Sequence, residues 1–241
     1  MSNLSNEQKD ILKMLKVFKK VCEGNNIWYS LACGSVLGAV RHKGFIPWDH
    51  DADVFILLSD REHFRAAFMN SFIKDISLRN FDITKRCGQC HDSLFMISNG
   101  KSIHLDIYTL VGAPSDYREQ KRFIQTCYYL DRIFKSKFVN WHNCKPRNKF
   151  PVLLSKCITF PISESRIKEN IHKRENLYPI DKADYLVNMC CYNTVKECIP
   201  KDIYTDTIEV QFEDESFMIP KRYEEYLSRI YGTDYMIPKK Y

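Results

Sequence analysis

Ile11, Leu12, Leu15, Phe18, Val21 and Cys22 return to one face of a 3.6-residue repeat, so the chain is predicted to begin with an amphipathic helix. Ser5, with Gln8 three residues on, supplies a capping box at its start, and Gly24 offers a left-handed ending. "NIWYSLA" is aromatic and β-branched and reads as a strand. "CGSVLGAVRH" turns sharply at Gly34 into a short helix, "GFIPW" is a loop, and "DADVFILL" is a second strand. Residues 61–72 regain helical spacing, with Phe64, Ala67, Phe68 and Phe72 on the apolar face. Residues 75–110 read as short strands with turns at Cys87–Cys90 and at Asn99-Gly100. Helices are predicted near 115–138 and 163–177, and the last third mixes strands with a closing helix around 220–231. The runs "VFILL" and "FPVLL" suit buried strands or a packed turn. No repeat or low-complexity stretch interrupts this order. The prediction is one α+β unit over 1–241, with a core in 1–112 and a helical elaboration and C-terminal segment in 113–241.

Composition narrows the class. With 44% hydrophobic and 13% aromatic residues the chain reads as ordinary globular protein. No run approaches the ~18–20 apolar residues of a membrane span, and the start lacks the order of a signal peptide. A cytoplasmic location is expected, where the ten scattered cysteines stay reduced. The net charge of +6 is uneven: residues 132–163 hold seven Lys or Arg and no Asp or Glu, interleaved with Phe134, Phe138, Trp141, Phe150 and Phe160. The simpler reading is a solvated basic face over a core stripe. The sharper one is a surface that meets anionic lipid or a phosphate-rich acceptor. No nucleic-acid-binding signature is present.

The candidate chemistry lies in "GFIPWDHDADVFI", where Asp49, Asp51 and Asp53 alternate into an apolar run. Residues two apart share a strand face, and three carboxylates on one face repel unless a cation or protons lie between them. A Gly-Ser pair opening a helix turns backbone N–H groups toward an anion. A third carboxylate, Asp106 in "HLDIY", sits on a later predicted strand. Anion cradle and all-oxygen site together suit phosphoryl transfer assisted by Mg²⁺ or Mn²⁺.

The stretch "LACGSVLGAVRHKGFIPWDHDADV" closely resembles the signature of the LicD family, which includes phosphocholine transferases of bacterial surface glycans and fukutin-related ribitol-phosphate transferases. "HLDIYTL" resembles the family's later acidic strand, and "IPKRYEEYLSRIYGTDYMIPKK" its C-terminal Tyr-Gly segment. The resemblance implies a nucleotidyltransferase-like fold, a mixed β-sheet with packed helices. It implies transfer of a phosphorylated small group, phosphocholine first, from a CDP-linked donor to a hydroxyl of a glycan or lipid-linked glycan, releasing CMP. Lipopolysaccharide, teichoic acid and capsule are acceptors of this kind. By the resemblance Gly34 and Ser35 cradle donor phosphates, and Asp51 and Asp53 hold the metal. Asp106 completes the metal site and serves as base, while Arg41, His42, Lys43 and Asp49 bind substrate. Two positions depart from the pattern: Cys33 stands where many relatives have Gly, and His50 where many have Asp. His50 is expected on the strand face opposite the three aspartates.

Alternatives are transfer of ribitol, glycerol or ethanolamine phosphate, nucleotidyl transfer from an NTP, and a glycan-binding relative without activity. A choline donor would want an aromatic cage, but Trp28, Tyr29, Trp141, Tyr108, Tyr128 and Tyr129 cannot be ranked from sequence. "CGQCH" gives Cys87 and Cys90 zinc-ligand spacing with His91 adjacent, closable by Cys127 or the Cys190–Cys191 pair, yet one such pair is weak evidence for structural Zn²⁺. Peripheral contact with an anionic membrane at its inner face is the expectation attached to the basic segment.

Overall fold

The computed structural model describes residues 4–84, 90–139, 145–190 and 195–238, and only the backbone of 146–149. The first helix, α1, spans Asn6–Gly24, and its capping box forms: the Gln8 N–H donates to Ser5 Oγ (3.1 Å) and the Ser5 N–H to Gln8 Oε1 (3.0 Å). Its apolar face is the predicted one, joined by Met14. The left-handed residue beyond it is Asn26 (φ 53°) rather than Gly24, which remains helical. Strand β1 (Tyr29–Leu31) leads into α2 (Cys33–His42), β2 (Asp53–Leu57) and α3 (Arg61–Asn70). Phe72, expected on the α3 face, lies past its end, left-handed and 92% exposed.

Strands β3 (Ser77–Arg79), β4 (Asp92–Ser98) and β5 (Lys101–Ala113) form an antiparallel meander. β4 turns into β5 at Asn99-Gly100, where both residues have positive φ, as a two-residue hairpin requires. The Cys87 half of the other expected turn lies outside the described residues. Helices α4 (Tyr117–Phe138), α5 (Pro146–Thr159) and α6 (Glu164–Glu175) follow. α5 was not expected: "FPVLL" is helical, because proline at its first turn and a strong run of helix formers outweigh Pro151 inside it. The chain closes with β6 (Tyr185–Asn188), β7 (Ile199–Pro200), α7 (Lys201–Thr205), the hairpin β8 (Thr207–Phe212) and β9 (Glu215–Pro220), and α8 (Tyr223–Tyr231).

The main sheet runs β1-β2-β5-β4-β3, and β6 and β7 extend it beyond the far end of β5. β2 and β5 are parallel; the other pairs are antiparallel. The fold is therefore α+β with a mixed sheet. One core joins α1, α2, the sheet and the β8–β9 hairpin around Phe18, Val54, Ile107 and Phe217. A second lies under α4 and α6, around Phe123, Phe134, Ile167 and Val187. Between the two cores runs a chain of buried ions. Arg65 holds Asp92 through two bonds of 2.7 and 2.8 Å, and Arg61 holds Glu175 through two of 2.6 and 2.9 Å. His172 sits between Asp82 (2.6 Å) and Glu175 (2.8 Å). Contact with Asp82, then with Glu175, pushes its imidazole up to about 9. Burial would raise the Glu175 carboxyl, yet His172 and Arg61 hold it below the usual carboxylate range.

Two outcomes follow from that chain. Glu175→Ala leaves Arg61 buried without its bidentate partner, with a 4.0 Å contact to Glu62 remaining, and should cost about 3–5 kcal/mol in denaturant unfolding. A histidine whose folded value is raised stabilises fully below its ordinary value of ~6.5, and loses that contribution as pH rises through about 9. The melting-temperature gap between wild type and His172→Gln should thus be widest at acid pH and close by about pH 9. A gap that does not change with pH would show that His172 is not held charged.

Candidate active site

Parallel pairing of β2 with β5 sets Asp53 directly beside Asp106. The pairing is continued upstream by the Asp106 N–H, which donates to the Ala52 carbonyl (3.1 Å), and on the other side by the Ala32 N–H, which donates to the Asp53 carbonyl (2.9 Å). Ala52, Val54, Leu105 and Ile107 are buried, so apolar packing on both strands fixes the position of the two carboxylates. Only Asp53 lies within the strand. Asp49 and Asp51 stand on the loop before it, so the alternation of all three along a strand face is corrected. The loop nonetheless gathers them: Asp49 and Asp51 share a side-chain hydrogen bond, and the Gln8 amide holds the Asp49 carbonyl at 3.1 Å.

The electrostatics record this crowding. Asp51 stands at the open rim, yet withdrawal from water, the bond to Asp49 and the charges of Asp49 and Asp106 push its carboxyl up to about 7. Burial, then the charges of Asp51, Asp106, Asp49 and Glu197, push Asp53 well above the usual carboxylate range. Asp106 Oδ1 is buried without a hydrogen-bond partner. Among the described residues no three ligating side chains stand close enough to enclose an ion by themselves. Mg²⁺ is commonly held by one or two carboxylates, with substrate phosphates and water completing its shell, so an open all-oxygen set is donor chemistry that this ion takes.

Helix α2 starts at this cluster. Its first residue, Cys33, has φ 46°, so the sharp turn expected at Gly34 lies one residue earlier. That conformation suits glycine better than cysteine. The Cys33 N–H donates to Tyr226 Oη (3.1 Å), which brings α8 to the start of α2. Gly34 lies against Asp49, whose Oδ2 would be 3.3 Å from an added Cβ. Ser35 is buried, and its Oγ accepts from the Asp53 N–H (2.9 Å), tying α2 to β2 while its own proton remains to donate.

The basic residues divide. Arg41 lines a cleft of about 270 Å³ together with Gly34, Trp48, Asp49, Tyr231, Asp234 and Tyr235, and donates to the Tyr235 carbonyl at 2.8 Å. His42 and Lys43 line a separate groove of about 1000 Å³ against the lysines of α1. Burial, then Arg41, lowers the His42 imidazole. His50 stands on the same loop, its Nδ1 3.3 Å from Glu7 and its N–H donating to Asp49 Oδ1 (3.1 Å), so no strand face separates it from the aspartates, against expectation. Lys101 pairs with Glu7 (3.5 Å).

His91 is the site residue that sequence reasoning assigned elsewhere. Its ring is buried against Tyr108, with Nε2 3.4 Å from Asp106 Oδ1 and Nδ1 3.7 Å from Cys190 Sγ. Its neighbour Cys90 is buried, and burial, then Cys190 and Asp131, push its thiol far up. Cys87 and Cys191 lie outside the described residues, and Cys127 instead meets Met189 Sδ at 3.3 Å. The walls given by Tyr231, Asp234 and Tyr235 were visible only as a C-terminal likeness without a role.

The profile of the LicD/FKTN/FKRP nucleotidyltransferase domain matches residues 26–151, a little over half of the chain. The chain is similar to the lipopolysaccharide cholinephosphotransferase LicD of Haemophilus influenzae, 27% identical over 97% of this chain and 91% of that protein. It is also similar to the ribitol 5-phosphate transferase FKRP of Homo sapiens, 50% identical over 40 residues, which are 17% of this chain and 8% of that protein.

An acid whose folded value is raised contributes most stability below its ordinary value of ~4 and loses it as pH rises through the folded value. In chelator, the wild type should therefore lose stability as pH rises through about 7, and Asp51→Asn should lose less. Thermal melts at pH 8 with EDTA should show the variant more stable than wild type, and Mg²⁺ should raise only the wild type. A less stable variant under chelation would refute carboxylate crowding.

Proposed function

The chain belongs to the LicD/FKTN/FKRP nucleotidyltransferase family and is a LicD-type phosphotransferase, and we propose that it moves phosphocholine from a CDP-linked donor to a glycan hydroxyl, with release of CMP. The observation that carries the reading is the register of Asp53 beside Asp106, at the start of a helix whose first turn faces Asp49. In this reading Asp51, Asp53 and Asp106 hold Mg²⁺ or Mn²⁺. Bound there, the ion would polarise the donor diphosphate as a Lewis acid. Gly34, at the start of α2, receives phosphate oxygens, and Arg41 adds charge at the cleft. Asp106 takes the proton of the acceptor hydroxyl. The freed oxygen forms a bond to the choline-bearing phosphorus as the bond to the CMP oxygen breaks.

Choline is favoured over ribitol, glycerol or ethanolamine by the cleft at Asp49. Trp48, Tyr231 and Tyr235 line it together with Asp49 and Asp234, and aromatic faces beside acids suit a quaternary ammonium. Of the other aromatic candidates, Tyr29 stacks edge-on with Phe18, Trp28 donates to the Thr205 carbonyl, Tyr108 packs on His91, Tyr128 and Tyr129 meet each other on α4, and Trp141 lies outside the described residues. Among the described residues no helix is long and apolar enough to cross a membrane. We place the reaction in the cytoplasm, on an acceptor glycan that is lipid-linked.

CMP release from a panel of CDP-linked donors tests the assignment. Turnover should need Mg²⁺ or Mn²⁺, vanish in EDTA and be greatest with CDP-choline. Asp106→Asn should lower kcat by at least ~10²–10⁴-fold, the typical share of a general base, while donor binding falls less. Trp48→Ala should raise KM for CDP-choline more than for CDP-glycerol. Full turnover in chelator, or a near-wild-type Asp106→Asn, would overturn the reading.

A further inference from the structure

Helix α5 turns its apolar side outward. Phe150, Leu153, Leu154 and Ile158 are 75, 47, 51 and 64% exposed, and Phe160 just beyond the helix is 85% exposed. Positions 150, 153, 154 and 158 follow the i, i+3, i+4, i+8 spacing of a single helical face. In a surface helix that face ordinarily covers the core, as in α1. Here the opposite side is the fixed one. α5 lies along α4, Thr159 is buried, and Lys137 Nζ reaches from α4 to the carbonyls of Thr159 (2.7 Å) and Ile162 (2.5 Å). The core stripe expected beneath a basic face is therefore corrected. Phe134 is the buried aromatic of this region, whereas Phe150 and Phe160 are in water.

We infer that the outward face of α5 is a docking surface for an anionic lipid bilayer, with the helix lying in the interface plane. Three observations support a membrane as occupant. Residues 132–163 carry seven Lys or Arg and no Asp or Glu; Lys135 pairs with Asp131, and Lys137 and Lys156 reach carbonyls between α4 and α5, but the segment stays net cationic, which suits an anionic surface. A second copy of the chain would bring two such segments together, and like charge opposes that pairing. A free phosphate would answer the cations but not the apolar row, whereas a bilayer surface answers both. At 14 residues the helix spans roughly 21 Å, too short for the ~30 Å hydrocarbon core, so it would lie along the surface rather than cross it. The inference deepens the reading of a lipid-linked acceptor, since such a surface brings the enzyme to it.

The test uses the full chain without donor or acceptor, so that it does not depend on the reaction. Sedimentation with phosphatidylglycerol-containing phosphatidylcholine vesicles should show binding that weakens from low to high salt, with little binding to phosphatidylcholine alone. Phe150→Ser, and Leu153→Ser with Leu154→Ser, should weaken it about ten-fold or more, since each removes apolar area from the buried face. These side chains are exposed, so the melting temperatures and CMP release with a soluble acceptor should stay at wild-type values. Equal recovery with neutral and anionic vesicles, or unchanged binding by both variants, would overturn the proposal. So would a wild-type dimer in light scattering that Phe150→Ser dissociates, because the row would then be a self-contact. Vesicle binding without CMP release from any donor would leave the surface standing and refute the transfer reading instead.

Discussion

Everything at the candidate site depends on one pairing, the parallel register that holds Asp53 against Asp106. Two carboxylates so placed repel, and nothing local to them supplies the attraction. It comes from the apolar residues on either side, among which Val54, Ile56, Leu105 and Ile107 are fully buried. The sheet thus forces together groups that would separate if free, and the raised values of Asp51 and Asp53 show the cost. A cation is the simplest relief for such an arrangement. Stability and function are opposed here, which is common where a site is built in advance of its ligand.

The surroundings hold the cluster from several directions. Ser35 ties the second helix to Asp53, Gln8 of the first helix holds the loop at Asp49, and Tyr226 of the last helix meets Cys33. His91, just before β4, stands 3.4 Å from Asp106. Residues from both ends of the chain therefore meet at one place. Strand β5 serves both cores, since it carries Asp106 in one half and Val111 and Ala113 in the other. The ion chain from Arg65 to His172 then fixes α6 against the meander beside it.

Much of this was legible in the sequence where local chemistry is decisive. The capping box at Ser5, the apolar face of α1 and the turn at Asn99-Gly100 each depend on a few neighbouring residues, and each formed as expected. Asp106 was legible because an isolated acid in an apolar strand has few other uses. The parts that failed depend on tertiary context. Asp51 lies in a loop because pairing with β5 within the strand begins only at Asp53. The left-handed residue is Cys33 rather than Gly34 because the N–H of Cys33 must reach Tyr226, almost two hundred positions away. Local pattern gives no sign of that contact. His91 attracted notice through its neighbouring cysteines, and only the fold placed it behind Asp106. The run "FPVLL" was read as buried because it is apolar, and no periodicity says which side of a helix another helix will cover.

The register of β2 and β5 also has a kinetic side. The two strands are parallel, so they cannot be joined by a tight turn, and the chain between Asp53 and Asp106 must first build α3, β3 and β4. Closing a loop of that length precedes any gain from the pairing, which makes such contacts late ones in folding. Early collapsed states are thereby spared the carboxylate repulsion, because the acids meet only when the sheet is complete.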